Sequence, residues 1–261
     1  MQASELFNQP NTILLDGGMG TMLQAAGMKL GTRPEDLNIE NPELIRSIHA
    51  KYAAAGSRVV NANTFGASPH KLADSKYTLE EVITAGIANC KQAVAPYGAL
   101  VTLDVGPLGE LLEPSGTLAF EDAVAEYGRI VRAGVAAGAD ILYFETFTDL
   151  YEMKAALLAA KENSTLPIMA SMSFEANGRT FTGCTVESFA ATARGLGANA
   201  VGINCSLGPK EIFPMAKRLA EAVPGDFPGF VKPNAGLPRA DGSGYDITPQ
   251  LYAMQMKPYR E

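Results

Sequence analysis

Short apolar runs alternate along this chain with segments of helical periodicity. The apolar runs lie at residues 12–18, 58–65, 99–107, 141–147, 167–174, 200–206 and 229–236. Apolar residues that recur at spacings of three and four predict helices at residues 41–56, 78–96, 119–138, 150–164, 186–197 and 209–223. Runs that are apolar at nearly every position are typical of strands buried on both faces of a parallel sheet. The alternation therefore predicts consecutive βαβ units.

The polar residues of the predicted strands favour a barrel over a doubly wound sheet. They lie at the carboxyl ends of the strands and are Asp16, Asn63, Thr64, Asp104, Glu145, Thr146, Asn204, Cys205 and Asn234. Active sites of barrels assemble at that face from many strands, whereas a doubly wound sheet concentrates its polar residues near one switch point. We therefore predict an α/β fold of the TIM (β/α)8 type, as a single domain over residues 1–261.

The predicted barrel lacks its last unit. After the seventh apolar run the sequence reads "GYDITPQLYAMQMKPYRE" (244–261), in which Thr248 caps a helix with Pro249 in its first turn. An eight-stranded barrel needs one more strand and helix, so we expect the eighth strand and its helix to be missing from this chain. Unpaired edges on the first and seventh strands would then favour self-association or lower the stability.

Composition and charge restrict the class of partner. The 261 residues are 47% hydrophobic and carry a formal net charge of -7 without a basic stripe, which argues against nucleic acid and anionic membranes as partners. No apolar run is long enough to span a bilayer, and the N-terminus does not resemble a signal peptide. Three widely spaced cysteines without a CxxC motif indicate neither a disulfide framework nor a zinc ribbon. We expect a cytoplasmic protein.

Cys205 ends the sixth apolar run, in "VGINCSLGP" (201–209), directly before a predicted helix. Its thiol is a core side chain, a nucleophile or a metal ligand, and a helix N-terminus favours the thiolate form. A nucleophile would need a histidine base. The only histidines are His49, on a predicted helix outside the barrel, and His70, in the loop after the second strand. Metal ligation is therefore the better interpretation.

Glu145 and Asp104 end two neighbouring predicted strands. Charged residues are rarely buried unless they are paired. The two carboxylates are therefore a general acid–base pair, a site for a substrate ammonium group, or part of a structural ion pair. The residues alone leave all three roles open.

The remaining glycine and cysteine motifs predict smaller roles. "LLDGGMG" (14–20) lacks the spacing of a phosphate loop, so Gly17 and Gly18 are predicted to let backbone N–H groups approach a ligand carboxylate. Cys90 lies in a predicted helix and should be a core side chain. Cys184 lies in the loop after the fifth strand, and we expect no functional role for its thiol.

Eight motifs spread along the chain carry a family resemblance. They are "LLDGGMGTMLQ", "RPEDLNIENPELIRSIHAKYAAAGS", "NANTFGA", "DVGPLGEL", "FETFTDLYEMKAALLAAKE", "MSFEANGRTFTG", "GINCSLGP" and "KPNAGLPR", in this order from about residue 12 to residue 239. Together they resemble the homocysteine S-methyltransferase family, closest to the homocysteine-binding modules of cobalamin-dependent methionine synthases. The resemblance implies a TIM barrel that methylates the thiol of homocysteine to give methionine.

The resemblance also implies a zinc ion held by three cysteine thiolates. Cys205 matches one of them, whereas the other two belong to a "GGCC" motif at the end of the eighth strand that this sequence lacks. Zinc would serve to deprotonate the homocysteine thiol, whose pKa of ~8.5 keeps it mostly protonated at neutral pH. We therefore expect zinc in a complete domain, with Asn234 as a candidate oxygen ligand. In this chain we expect Cys205 to be a free thiol.

The substrate site and the methyl donor follow from the same resemblance. The implied catalytic residues are Cys205 and Glu145, and the implied substrate-binding residues are Asp16, Gly17, Gly18, Thr64, Glu145 and Asn204. Glu145 would accept the ammonium group of homocysteine. The implied donor is methylcobalamin on a separate module, charged from methyltetrahydrofolate, so a cobalamin-binding and a folate-binding module or protein are the expected partners. Betaine and S-methylmethionine are the donors of other relatives.

Two other interpretations stay open. The chain is a truncated or non-catalytic barrel that keeps the homocysteine pocket without the zinc site, or it is an unrelated, metal-free barrel enzyme. In the second case Glu145 and Asp104 would act as acid and base. Under the favoured interpretation we expect these 261 residues to be inactive by themselves.

Overall fold

Six parallel strands in sequential order form a curled sheet, the fold of a partial TIM-type barrel. The computed structural model describes residues 3–9, 11–29, 31–236 and 245–260. The strands are β1 (Val59–Asn61), β2 (Leu100–Val105), β3 (Ile141–Phe147), β4 (Ile168–Met172), β5 (Ala200–Asn204) and β6 (Gly229–Lys232). Each strand pairs with the next one along the chain, and every pair is parallel. The predicted fold class is confirmed.

Helices connect the strands and cover the outer face of the sheet. They are α1 (Ala3–Leu6), α2 (Met19–Ala25), α3 (Leu37–Glu40), α4 (Pro42–Ala54), α5 (Leu79–Val94), α6 (Phe120–Ala136), α7 (Leu150–Asn163), α8 (Val186–Gly195), α9 (Pro209–Ala222) and α10 (Pro249–Met256). The six helices predicted by periodicity correspond to α4–α9, with ends that agree to within two residues. Thr248 accepts the Leu251 N–H at 3.2 Å, so it caps α10 as predicted. In the described part of the chain, no helix has both the length and the apolar character that crossing a bilayer requires.

The first predicted strand, at residues 12–18, is reduced in the structure to a single parallel bridge between Leu15 and Val59. The Asp16 N–H still donates to the Val59 carbonyl at 3.2 Å. The chain then passes through Gly17 and turns at Gly18 into α2, which leaves no length for a regular strand. The extended segment before α2 therefore contacts β1 without extending the sheet. The expected absence of an eighth strand and the expected unpaired edges stay predictions.

The core lies on both sides of the sheet, as the apolar runs predicted. Every residue of β2, β4 and β5 is buried. The outer core, between the strands and the helices, contains Cys90, which is fully buried in α5 with its Sγ 3.8 Å from the Val60 carbonyl. Cys90 is therefore a core residue, as expected. The barrel interior is filled from alternate strand positions, and Leu6 of α1 packs against this inner cluster.

His49 is a buried histidine whose ring has no partner. It lies in α4 with a relative exposure of 0%. Neither ring nitrogen finds a hydrogen-bond partner within the described residues. Burial lowers the pKa of His49 to about 4, because a charged imidazole would lose its hydration there. The fold thus requires the neutral imidazole.

This requirement predicts a pH-dependent stability. The pKa of His49 is 6.5 in an exposed chain and about 4 in the fold, so its contribution is complete above pH 6.5 and is lost as the pH falls towards 4. Between pH 7 and pH 4.5 the loss should be about 2–3 kcal/mol, at 1.36 kcal/mol per pKa unit. Urea unfolding of the wild type and of His49→Leu at the two pH values measures it. Equal losses in both proteins would show that His49 does not titrate in this way.

Candidate active site

Most of the predicted polar residues meet at the carboxyl ends of the strands. Asp16 follows the bridge to β1, Thr64 follows β1, Asp104 lies near the end of β2, Glu145 lies in β3, Asn204 ends β5 and Cys205 follows it. Lys232, the last residue of β6, was not among the predicted site residues, yet it lies at the centre of this group. The strand ends therefore converge as the barrel prediction required.

Lys232 pairs with two carboxylates. Its Nζ lies 3.2 Å from Oδ1 of Asp16 and 3.5 Å from Oε2 of Glu145, and 5.2 Å from the centre of the Tyr143 ring. The side chains of Lys232 and Glu145 are 15% exposed and that of Asp16 is 4% exposed, so the pairing is largely shielded from water. Burial by itself would lower the pKa of Lys232, but the carboxylates of Glu145 and Asp16 raise it well above its usual range. Lys232 is therefore charged.

Asp16 uses both carboxylate oxygens on protein partners. Its Oδ2 accepts the Asn61 N–H at 2.8 Å, while its Oδ1 faces Lys232. Burial raises the pKa of Asp16, and the Lys232 charge and the Asn61 N–H oppose that rise. Asp16 thus joins the segment before α2 to β1 and to β6. Its predicted contact with a substrate stays a prediction.

A bulge in β3 sets the direction of Glu145. The pairing of β3 with β4 shifts register between Phe144 and Phe147, and Glu145 and Thr146 lie in that interval. Thr146 has a φ of 66°, a left-handed conformation that a β-branched residue rarely adopts. Bulges commonly redirect a side chain beside an active site. The strained Thr146 therefore marks the place where Glu145 is turned towards the mouth of the barrel.

The Asn204 side chain holds this bulge. Its Oδ1 accepts the Thr146 N–H at 3.0 Å and the Ser171 hydroxyl at 2.8 Å. Its Nδ2 donates to Thr146 Oγ1 at 2.7 Å and to Glu145 Oε2 at 3.4 Å. The Ser171 hydroxyl also bonds the Tyr143 hydroxyl at 3.0 Å. Asn204 was predicted to bind substrate, and the structure gives it four protein contacts that orient Glu145.

Asp104 is buried and lacks a partner for one oxygen. Its side-chain Oδ1 has no hydrogen bond in the part of the chain that the structure describes. The Thr64 hydroxyl donates to the Asp104 carbonyl at 2.8 Å and accepts the Asp104 N–H at 3.1 Å, so Thr64 fixes this backbone. Burial, and next the charge of Glu145, raise the pKa of Asp104 well above its usual range. The predicted contact of Thr64 with a substrate stays a prediction.

Close contact with Tyr52, rather than a positive φ, favours glycine at position 17. A Cβ at Gly17 would lie 2.9 Å from the Tyr52 hydroxyl oxygen, which is too close for any larger residue. The Tyr52 hydroxyl donates to the Gly18 carbonyl at 3.0 Å. Neither glycine has a left-handed backbone. The close approach of α4 to this segment accounts for Gly17, and the predicted role of both glycines with a ligand stays a prediction.

Cys205 follows Asn204 in a left-handed turn. Cys205 has a φ of 62° and Ser206 a φ of 60°. The Cys205 N–H donates to the Lys232 carbonyl at 3.1 Å, and its Sγ lies 3.9 Å from Nδ2 of Asn234. The turn therefore places the thiol at the strand ends, beside Asn234, which was predicted as a candidate oxygen ligand.

The described donors do not complete a zinc site. Within residues 3–9, 11–29, 31–236 and 245–260, no group of three or more His, Cys, Asp or Glu side chains is arranged to hold a metal. Cys90 and Cys184 form no disulfide and lie elsewhere, in α5 and in the loop before α8. Burial raises the pKa of Cys184 to about 11, so this thiol is protonated at neutral pH. Cys205 offers one thiolate where a catalytic zinc uses three protein ligands.

A protein-family model matches almost the whole chain. The family model described as homocysteine S-methyltransferase matches residues 13–261. Methionine synthase of Mycobacterium tuberculosis (strain ATCC 25618 / H37Rv) is 29% identical over 258 residues, which cover 91% of this chain and 21% of that protein. The chain thus spans about a fifth of the length of this curated relative.

Solved structures show the same fold. The metallated form of the homocysteine methyltransferase MmuM from Escherichia coli aligns with a TM-score of 0.80 at 25% identity, covering 95% of this chain and 90% of that one. Its apo form aligns with a TM-score of 0.71 at 26% identity, over 95% and 89% of the two chains. The carboxyl transferase domain of Rhizobium etli pyruvate carboxylase, with a TM-score of 0.54 at 16% identity, covers 89% of this chain and 38% of that one and shares the fold alone.

The Lys232 pairing predicts a large effect on stability. Lys232→Met keeps the length of the side chain but leaves Asp16 and Glu145 without their cation. Removing one partner of a buried ion pair typically costs about 3–5 kcal/mol, because the remaining charge is uncompensated. Chemical unfolding at pH 7 measures this loss, with Lys51→Met on the exposed face of α4 as the control. Equal stability of both variants would show that the pairing contributes nothing.

Proposed function

This chain belongs to the homocysteine S-methyltransferase family, and on that premise we propose that its site binds homocysteine and transfers a methyl group to its sulfur. The product would be methionine. The observation that supports this function best is the shared position of two groups at the mouth of the barrel. Glu145, a carboxylate suited to an ammonium group, contacts Asn204, and the thiol-bearing Cys205 is the next residue. We propose that residues 1–261 act as one such domain.

The amino-acid end of homocysteine is assigned in this proposal to the acidic cluster, which consists of Asp16, Asp104, Glu145 and Lys232. Glu145 accepts the substrate ammonium group in this proposal, and its Oε2 already contacts two donors, Lys232 and Asn204. The ammonium group of a substrate offers the same kind of charge-assisted hydrogen bond as Lys232 does. The backbone of Gly17 and Gly18 and the Thr64 region are assigned to the rest of the amino-acid end, as the family resemblance implied.

The sulfur end is assigned to the turn after β5. We propose Cys205 as one ligand of a metal ion that holds the substrate sulfur, in line with the metallated form of the relative from Escherichia coli. Zinc would supply a deprotonated, nucleophilic sulfur when bound. The described side chains do not fit a three-thiolate site, so the remaining ligands must come from outside them. The assignments of Glu145, Lys232 and Asn204 do not depend on the metal.

The proposal for the methyl donor rests on the family resemblance and on the methionine synthase relative. The chain matches 21% of the length of that relative, which leaves most of the relative outside the matched region. We propose methylcobalamin, carried by a separate module and charged from methyltetrahydrofolate, as the donor. A cobalamin-binding and a folate-binding module are the corresponding partners, and without a donor and a metal the chain should not turn over.

Glu145→Gln tests the ammonium site. Loss of a hydrogen bond to a charged group should weaken homocysteine binding by about 1.5–3 kcal/mol. The fold should be retained because glutamine has the same shape and Lys232 keeps Asp16 as its partner. Titration calorimetry with homocysteine measures the affinity, and Glu162→Gln on the exposed surface of α7 is the matched control.

The same titration separates the alternatives. An affinity that Glu145→Gln leaves unchanged would show that the ammonium group binds elsewhere. A wild-type protein that ignores homocysteine would favour the metal-free acid–base enzyme, in which Asp104 and Glu145 act on another substrate. Weak binding that zinc does not change would favour a barrel that has kept its pocket without catalysis.

Metal analysis tests the proposed role of Cys205. We expect this chain to hold zinc weakly and below one equivalent, because a single thiolate and the Asn234 amide make a poor site. Cys205→Ala should abolish the zinc that does bind, whereas Cys90→Ala, in the core, should not change the metal content. One tightly held zinc per chain, bound by Cys205 with two further thiolates of residues 1–261, would contradict this expectation.

A further inference from the structure

Asp104 is the one residue of the acidic cluster with a buried carboxyl oxygen that no described protein group contacts. Both oxygens of Asp16 have partners, and Oε2 of Glu145 has two. Oδ1 of Asp104 has none among the described residues, although the residue is only 6% exposed. A buried oxygen without a partner costs free energy, so its persistence at the end of β2 calls for an explanation. A ligand donor provides one.

The surroundings of Asp104 are charged on several sides. The charged and titratable groups whose fields act on it are Glu145 and Tyr143 of β3, Lys232 of β6, Asp16 before α2, and Glu35 before α3. Within the cluster of Asp16, Asp104, Glu145 and Lys232, three carboxyl groups face one ammonium group, and Glu35 adds to the negative field from outside it. With Asp104 neutral the cluster has an excess of one negative charge, and with Asp104 ionised it would have an excess of two. The empty site therefore favours a proton on Asp104.

A bound ammonium group reverses this preference. It brings one positive charge and three N–H donors to the strand ends, enough for a bond to Glu145 and another to the unpaired oxygen of Asp104. Close contact with a cation favours the ionised form of a carboxyl group. With the ammonium group present, and with the substrate carboxylate assigned to the backbone of Gly17 and Gly18, an ionised Asp104 leaves the cluster itself with the same excess of one negative charge that the empty site has.

We propose that Asp104 is the second carboxyl of the ammonium site, protonated while the site is empty and ionised when an amino-acid substrate binds, so that binding releases a proton. The O–H bond of Asp104 breaks, its electron pair stays on the carboxylate, and the proton passes to the buffer. The substrate ammonium keeps all its protons. This role goes beyond the proposed methyl transfer and rests on it for the identity of the ligand, an α-amino acid. Asp104 is then a binding residue, and Thr64 is its positioning residue.

The experiment measures proton release on binding without the thiol. L-Methionine is the probe, because it has the amino-acid end of homocysteine but no thiol proton. Titration calorimetry of the full chain in buffers of different ionisation enthalpy counts the protons released. A second series follows the affinity between pH 5 and pH 8. Release of one proton makes the affinity rise with pH by up to tenfold per unit, until Asp104 is ionised in the empty site as well.

Asp104→Asn is the decisive variant. Asparagine cannot release a proton, so the variant should bind methionine with no proton release and with an affinity that does not change with pH. It should fold, since an amide replaces a buried acid of the same shape. Asp74→Asn removes an exposed carboxylate instead and should behave as the wild type. The wild-type pH series tests the proposal even if Asp104→Asn is unstable.

Three results would overturn the proposal. Methionine binding by the wild type without proton release would leave the amino-acid site intact and show that Asp104 does not change its protonation. The same pH dependence in Asp104→Asn as in the wild type would assign the proton to another group. Failure of both methionine and homocysteine to bind would reject the proposed function together with this role, so the two failures are distinguishable.

Discussion

The buried pairing of Lys232 with Asp16 and Glu145 is the interaction on which the site depends. Lys232 and Asp16 are 216 residues apart in sequence, and their contact joins the segment before β1 to the last strand of the sheet. Burying charges is costly unless each has a partner of opposite sign. Asp16 meets that condition through Lys232 and the Asn61 N–H, and Glu145 meets it through Lys232 and Asn204. The ends of β1, β3, β5 and β6 are thereby held in one arrangement.

A second constraint is the backbone strain on either side of Asn204. Thr146 and Cys205 both have left-handed φ angles, and each such residue costs about 1–3 kcal/mol. The Asn204 side chain bonds both the N–H and the hydroxyl of Thr146, which stabilises the bulge that presents Glu145. Its own chain neighbour is Cys205. One residue therefore couples the direction of the carboxylate to the turn that carries the thiol.

The sequence predicts the architecture well because burial on both faces of a parallel sheet removes polar residues from the strands. The helix ends and the polar strand ends follow directly from this pattern. Lys232 escaped prediction because a lysine at a strand end is typical of a solvated position, and only its register beside Glu145 makes it a buried partner. The reduced first strand and the bulge at Thr146 were not predicted either, because both depend on contacts between segments that are distant in sequence. The missing partner of Asp104 is likewise a property of strand register.

The charge balance at the strand ends gives the proposed site a basis for selecting its ligand. Thr64 holds the backbone of Asp104, and Asn204 orients Glu145. These two polar residues thus position Asp104 and Glu145, the two carboxyl groups that are proposed to bind a cation. In a shielded cluster an excess negative charge attracts a cation more strongly than it would in water. A thiol without an ammonium group would leave that charge uncompensated. In the proposed function the cluster would therefore bind the amino-acid end of the substrate, and Cys205, the residue after Asn204, would lie on the side of its sulfur.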